Sequence, residues 1–335
     1  MPETPRRALL ALTTAAVLAT GCSAMNSGDD GGDVTLSFAN SYTDNHPHTR
    51  CGIKAVADAV NGRDIGVKVE TFPNSQLGND DTRYTSVRSG DLDMDVQGSS
   101  ALSGSYAPIG VLDMAYAFNG PDHLFSFFDG PEGDRLKTEF AKATGTRVLD
   151  VWYFGMRHFT ANKAIRRPED LKGLRMRFPD SKVYLENAKA VGATPTAVAF
   201  EELYLSLQRK TIDGQENPIP TIAEKSLEEV QSHVSLTGHQ TGSQLIVINE
   251  ESWKKLSAEQ QEALQKAVSD TRTANRKCIE EDEAKILAEW KSAGEPTVVE
   301  DVDTEAFADK AAKYFGETLE GEQAELFESI RSTAP

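Results

Sequence analysis

Residues 175–209 read RMRFPDSKVYLENAKAVGATPTAVAFEELYLSLQR, and this stretch decides the fold class of the chain. The short runs at 175–178 and 195–199 predict strands, whereas residues 181–191 and 201–209 have the pattern of helices. Strands that alternate with helices in this order are typical of an α/β protein, in which helices cover both faces of a mostly parallel sheet.

The same alternation precedes this stretch, so the chain contains two α/β units in series. No tandem repeat and no Pro/Gly-rich linker separates the units, and we therefore expect the chain to cross between them several times. The other predicted strands are 34–39, 66–72, 92–96 and 148–154, and the predicted helices between the first three are 48–60 and 80–89.

A long helix is predicted near the C-terminus. Ser257 and Gln260 form a capping-box pattern, and no Gly or Pro interrupts the chain from Ala258 to Trp290. About 33 residues at roughly 1.5 Å each reach about 50 Å, which exceeds the diameter of a small domain, so the helix should lie across both units. The alternative is two helices that meet near residues 270–273.

The charge and the motif content of the sequence argue against several classes of function. The 335 residues include 35 Lys and Arg against 52 Asp and Glu, a formal net charge of -17, which disfavours nucleic acid and anionic lipid as partners of most of the surface. GxSxG, HExxH, paired CxxC and P-loop motifs are absent from the sequence. His46 and His48 are better explained as part of a polar loop than as half of a metal site. We expect no enzymatic activity, cofactor or metal.

The N-terminus predicts export. Arg6 and Arg7 precede an apolar run that is too short to cross a bilayer, and small residues follow directly before Cys22. The ending resembles a bacterial lipobox, so we predict a signal peptide at 1–21, a lipid on Cys22, and a flexible tether at 22–33 that holds the protein on the outer face of the cell membrane. A plain secretory signal is the alternative, and the sequence leaves Sec and twin-arginine export open.

Cys51 and Cys278 are the cysteines that remain. An even pair in an oxidising compartment predicts a disulfide, whereas the alternative is two buried thiols that never meet.

Several pieces of the chain resemble the solute-binding proteins of tripartite ATP-independent periplasmic (TRAP) transporters, the DctP-type family. Their order and spacing are specific, and the resemblance extends over roughly residues 34–330. The matching pieces are LKGLRMRFP at 171–179, VGATP at 191–195, AF at 199–200, ELY at 202–204, DGQENP at 213–218, SQLG at 75–78 and GDLD at 90–93.

The resemblance implies a two-lobed clamp like the type II periplasmic binding proteins, with the long helix spanning both lobes. Lobe I is expected to comprise 34–154 and 243–282, and lobe II 155–242 and 283–335. The implied function is to capture a carboxylate-bearing small molecule and deliver it to the small and large integral membrane subunits for uptake driven by an ion gradient. A uronate, an aldonate, a C4-dicarboxylate or a keto acid would fit. The alternatives are a sensor that presents the acid to a receptor kinase, and a secreted enzyme.

The resemblance also selects site residues. Arg177, at the end of a predicted strand, matches the arginine whose planar fork binds a ligand carboxylate, although spacing alone favours a structural ion pair on the surface. Arg157 matches a second arginine of the cleft, with hinge packing as its alternative. Asn217 matches a ligand-contacting position in lobe II, and the turn signal before it and Pro218 after it predict that it lies in a loop. Phe200 matches an aromatic wall position, with ordinary core packing as its alternative, and Asn40 and Asp80 match ligand-contacting positions in lobe I. Asp180 stands where the sialic-acid-binding branch has an amide, which favours hydroxyl recognition over sialate.

Overall fold

The computed structural model describes residues 34–333. The predicted signal peptide, the lipidated Cys22 and the tether at 22–33 lie outside these residues. Within them, no helix combines the length and the apolar character that crossing a bilayer requires.

The described residues form one mixed sheet with helices packed around it. The strands are β1 Val34–Ala39, β2 Val67–Phe72, β3 Met94–Gln97, β4 Thr146–Ala161, β5 Arg175–Phe178, β6 Thr194–Ala197, β7 Gly214–Pro218, β8 His233–Asn249 and β9 Thr297–Val299. The helices are α1 Lys54–Asn61, α2 Asp80–Ser89, α3 Ser99–Leu102, α4 Pro121–Phe128, α5 Pro131–Thr144, α6 Lys182–Val191, α7 Leu203–Gln208, α8 Ile219–Glu224, α9 Glu250–Lys254, α10 Ala258–Ala293, α11 Thr304–Thr318 and α12 Gly321–Ser332.

The order of the sheet explains the two lobes. The strands run β2-β1-β3-β8-β4-β7-β5-β6, and β9 pairs with β8. One lobe holds β1 to β3 and the other holds β5 to β7, while the long antiparallel strands β4 and β8 pass through both. The α/β clamp expected from the sequence is thus confirmed, but the strand expected at 148–154 is longer because it continues from one lobe into the other.

Two glycines face each other where the long strands cross between the lobes. Gly155 of β4 pairs with Gly242 of β8, next to a break in register between Tyr153 and Gly155. Gly155 has a φ of 115°, and a Cβ on it would lie 2.7 Å from Pro218. A Cβ on Gly242 would lie 2.9 Å from the Cβ of Phe154. Since neither position has room for a side chain, close backbone packing at this crossing depends on glycine.

The long helix α10 is a single element of 36 residues, so the alternative of two helices is wrong. Its start is fixed by the predicted capping box, in which Ser257 and Gln260 each bond the other's backbone, and its end by Gly294 in the left-handed conformation. The helix packs on β4, where it accepts a hydrogen bond of 3.3 Å from the indole of buried Trp152 at the carbonyl of Val268.

A disulfide joins Cys51, in the turn before α1, to Cys278 of α10, with the two Cα atoms 6.5 Å apart. Arg50 lies over it, with Nη1 3.2 Å from both sulfurs and a salt bridge to Asp282. The bond therefore ties the first lobe to the spanning helix.

We expect reduction of this disulfide to lower the free energy of unfolding by about 2–5 kcal/mol, because it releases a long loop in the unfolded chain. Denaturant unfolding with and without a thiol reductant measures the change. The double variant Cys51→Ser/Cys278→Ser is the control, and its stability should not respond to reductant. Equal stability of the native protein in both conditions would contradict the prediction.

Candidate functional site

A cavity of about 230 Å³ lies between the lobes. Most of its wall comes from loops and helix starts that follow the carboxyl ends of strands, where ligands bind in open α/β sheets, and the rest comes from strand residues such as Arg157 and Arg177. Two hydrogen bonds connect segments of the two sides of the cleft, from Thr43 N to Glu224 Oε1 at 2.7 Å and from Ser75 Oγ to Glu201 Oε1 at 2.9 Å. The lining residues are Ser41, Tyr42, Asn79, Asp80, Asp81, Gly98, Ser100, Ala101, Phe154, Arg157, Arg177, Pro179, Asp180, Ser181, Tyr184, Ala197, Val198, Ala199, Phe200, Glu201, Asn217 and Gln244.

Arg177 is a buried cation that forms no salt bridge with any carboxylate of the described residues. Its side chain is 2% exposed, and its Nε donates to the carbonyl of Val198 at 2.8 Å. Among residues 34–333, neither terminal nitrogen has a hydrogen-bond partner and no acid forms a salt bridge with it. Burial lowers the pKa of Arg177 to about 10, so the group stays charged at neutral pH. Arg175, two residues earlier, is instead exposed and paired with Asp213 at 2.7 Å.

Arg157 differs from Arg177 because a buried acid neutralises it. Its Nε and Nη2 form a two-pronged salt bridge with the carboxylate of Glu216, and Nη2 also donates to Asn217 Oδ1 at 3.1 Å. The guanidinium lies near the rings of Phe154 and Tyr184, 5.5 and 5.0 Å from their centroids. Arg157 is therefore held rigidly, on the part of β4 that continues past the crossing.

Glu216 was not predicted from the sequence, although it lies within the DGQENP run. Burial by itself raises the pKa of Glu216, but the charge and hydrogen bonds of Arg157 hold it below its ordinary value. His239 of β8 places Nε2 3.4 Å from Glu216 Oε2. No signal in the sequence indicated that His239 and Glu216 lie together, because they belong to strands β8 and β7, which pair with β4 on its two sides.

The remaining predicted residues divide into two groups. Asp80, Asp180, Phe200 and Asn217 line the cavity, although Asn217 lies within strand β7 and not in the expected loop. Its amide Nδ2 donates to Gln215 at 2.6 Å.

Asn40 is outside the lining. Its Nδ2 donates to Thr49 Oγ1 at 3.0 Å and its Oδ1 accepts from Tyr42 N at 3.0 Å. Its amide thus shapes the loop that carries Ser41 and Tyr42 into the cavity.

The two histidines expected in a polar loop are buried in an aromatic cluster. His46 stacks on Tyr42 with ring centroids 4.4 Å apart, and His48 lies parallel to Trp152. Burial lowers the pKa of His48 to about 3, so its ring is neutral. Residues 34–333 contain no group of three or more side chains placed to hold a metal ion.

Comparison with known proteins finds solute-binding proteins at the level of both family and individual relatives. The family model for bacterial extracellular solute-binding proteins of family 7 matches residues 40–321. The sialic acid-binding periplasmic protein SiaP of Vibrio cholerae is 35% identical over 243 residues, which cover 72% of this chain and 75% of that one. The 2,3-diketo-L-gulonate-binding periplasmic protein YiaO of Escherichia coli is 34% identical over 278 residues, covering 82% and 83%.

A solved structure is similar over almost its whole length. It is a TRAP periplasmic solute-binding protein of Roseobacter denitrificans with bound L-galactonate. It superposes with a TM-score of 0.83 at 28% identity, covering 90% of this chain and 99% of that one.

Proposed function

This chain belongs to the bacterial extracellular solute-binding proteins of family 7, which serve TRAP transporters as binding proteins and not as enzymes, and from that premise we propose that Arg177 captures the carboxylate of its solute. The solute would be a sugar acid, a C4-dicarboxylate or a keto acid. Closure of the lobes would present it to the two integral membrane subunits.

One observation carries the proposal: Arg177 is almost fully buried and lacks an acidic partner among the described residues. A buried charge is costly unless it is paired, and a guanidinium offers two parallel donors that match a carboxylate. Because the rest of the protein is strongly acidic, an anion is attracted only by such a local charge. A ligand carboxylate would supply the missing partner.

A thermal-shift screen of sugar acids, dicarboxylates and keto acids tests the proposal. A ligand at about 100 times its Kd stabilises the folded state by about 2.7 kcal/mol, so a true ligand should raise Tm measurably. Neutral sugars and polyols of the same size are the controls. A screen in which none of the acids raises Tm would contradict the proposal, whether or not a control raises it.

We propose that the lobes comprise 34–154 with 243–282 and 155–242 with 283–335, and that they move about the facing glycines of β4 and β8. The Thr43–Glu224 and Ser75–Glu201 bonds join these proposed lobes, which supports a closed arrangement. We expect small-angle scattering to show a smaller radius of gyration after the best acid of the screen is added. An unchanged profile at saturation would contradict closure.

We also propose that Cys22 carries the lipid that anchors the protein, since small residues and then a polar, Gly-rich stretch flank it. Mass spectrometry of the protein purified from membranes should find a diacylated chain that begins at Cys22. The variant Cys22→Ala should lose the lipid and leave the membrane fraction. A mature chain that starts elsewhere, or an unmodified Cys22, would contradict the assignment.

A further inference from the structure

The distribution of charge in the cleft points to the class of solute. We propose that the site selects monocarboxylates whose other polar groups are hydroxyls, and that acids at the mouth, Asp180 above all, exclude a second carboxylate. This inference rests on the proposed capture of a carboxylate by Arg177.

The base of the cavity offers one uncompensated positive charge. Arg157 and Arg177 are the only cations among the described lining residues, and both are buried. The charge of Arg157 is already matched by the carboxylate of Glu216, which is itself fully buried. Arg177 alone therefore has an unmatched charge, and it can pair with a single ligand carboxylate.

The mouth of the cavity is acidic. Four lining residues carry carboxylates, and they come from both lobes: Asp80 and Asp81 at the start of α2, Asp180 after β5, and Glu201 before α7. Asp81, Asp180 and Glu201 are exposed. Burial and the nearby charges of Asp80, on the same helix, and of Asp180, on the other side of the cleft, raise the pKa of Asp81.

The acids at the mouth have different structural roles. Asp80 accepts hydrogen bonds from Ser41 Oγ and from Arg83 Nη2, the latter at 2.7 Å, and acids in the first turn of α2 suit the helix dipole. Glu201 accepts from Ser75. Asp180 has no hydrogen-bond partner within residues 34–333, so its carboxylate serves no evident structural purpose.

The acids at the mouth should favour ligand hydroxyls and disfavour ligand carboxylates. A carboxylate accepts hydrogen bonds, so Asp180 can accept one from a ligand donor such as a sugar hydroxyl. A second ligand carboxylate has no proton to donate and would place another negative charge beside the acids, and none of the described lining residues besides Arg177 carries an unmatched positive charge to offset it. Like charges brought together across an interface are strongly unfavourable.

Matched sugar acids test the inference by calorimetry. Galactonate and galactarate differ only at C6, which carries a hydroxyl in the first and a carboxylate in the second, and gluconate and glucarate form a second such pair. We expect at least one aldonate to bind, and to bind at least tenfold more tightly than its aldarate. We also expect Asp180→Asn to reduce this ratio at least threefold, whereas Asp309→Asn, at an exposed position of α11, should leave it unchanged.

The outcomes separate this inference from the proposed function. If an aldarate binds as tightly as its aldonate, or succinate binds when neither aldonate does, while Arg177→Ala abolishes that binding, the inference is wrong and the proposed function stands. An unchanged ratio in Asp180→Asn would also overturn the inference. If no carboxylate binds at all, the proposed function fails, and the inference fails with it.

Discussion

Arg177→Ala is expected to weaken binding of the best acid of the screen by 30-fold to several-thousand-fold, or about 2–5 kcal/mol, as is typical when one partner of a buried, hydrogen-bonded charge pair is removed. The variant loses both the charge and the two terminal nitrogens that have no protein partner in the described structure. Arg177→Lys keeps the charge but loses the fork, so it should still weaken binding clearly. Calorimetry of the three proteins measures the effect.

Two controls make this experiment decisive. Arg175→Ala removes an arginine from the same strand, but one that is exposed and paired with Asp213, and its affinity should stay close to that of the native protein. The methyl ester of the acid keeps the shape and loses the charge, so it should bind the native protein poorly. Normal binding by a folded Arg177→Ala protein, or equal affinity for acid and ester, would contradict the assignment.

Glu216→Gln is expected to lower the free energy of unfolding by about 3–5 kcal/mol, because it leaves the buried guanidinium of Arg157 without a countercharge. Asp301→Asn provides the control. It breaks the salt bridge to Arg166, in which both side chains are largely exposed, and exposed pairs contribute little to stability because solvent screens them. Denaturant unfolding of the two variants measures the difference. Similar small losses in both would show that Glu216 does not balance Arg157.

The same pair predicts a dependence on pH. Since Arg157 holds the pKa of Glu216 below its ordinary value, the ionised pair stabilises the fold fully above the unfolded pKa of glutamate, about 4.3. This stability is lost as the pH falls through the lower folded pKa. We therefore expect native protein and Glu216→Gln to differ most at neutral pH and to converge below about pH 4. A difference that does not change with pH would contradict this origin.

Local signals in the sequence predicted most of the elements. Alternation of strands and helices, the cap at Ser257 and the missing Gly and Pro up to Trp290 depend on neighbours in the chain, so strands β1 and β5 and helices α2 and α10 could be predicted closely. The full length of β4 and the whole of strand β8 could not, because a strand that passes through two lobes is fixed by its partners. Those partners lie far away in sequence.

The candidate site likewise has some features that the sequence could predict and others that it could not. The resemblance selected Arg157 and Arg177, and both line the cavity. Within the described residues, Glu216 neutralises Arg157 and leaves Arg177 unpaired, but Glu216 lies 59 residues from Arg157 in the sequence. The aromatic wall of Tyr42, Phe154 and Tyr184 was also missed, because its members come from three separate segments whose apolar character equally fits an ordinary core.

The interleaved order of the sheet governs how the chain can fold as it is made. Strand β3 pairs with β8, for example at Met94 and Ile248, so this pairing cannot form until a segment about 150 residues later in the chain has been synthesised. Pairing of such distant segments costs loop-closure entropy before the new contacts can offset it, so these pairings form slowly. A nascent chain that ends before β8 cannot join its two halves. An exported protein with this strand order therefore reaches the far side of the membrane before its sheet is complete, if it crosses the membrane as it is synthesised.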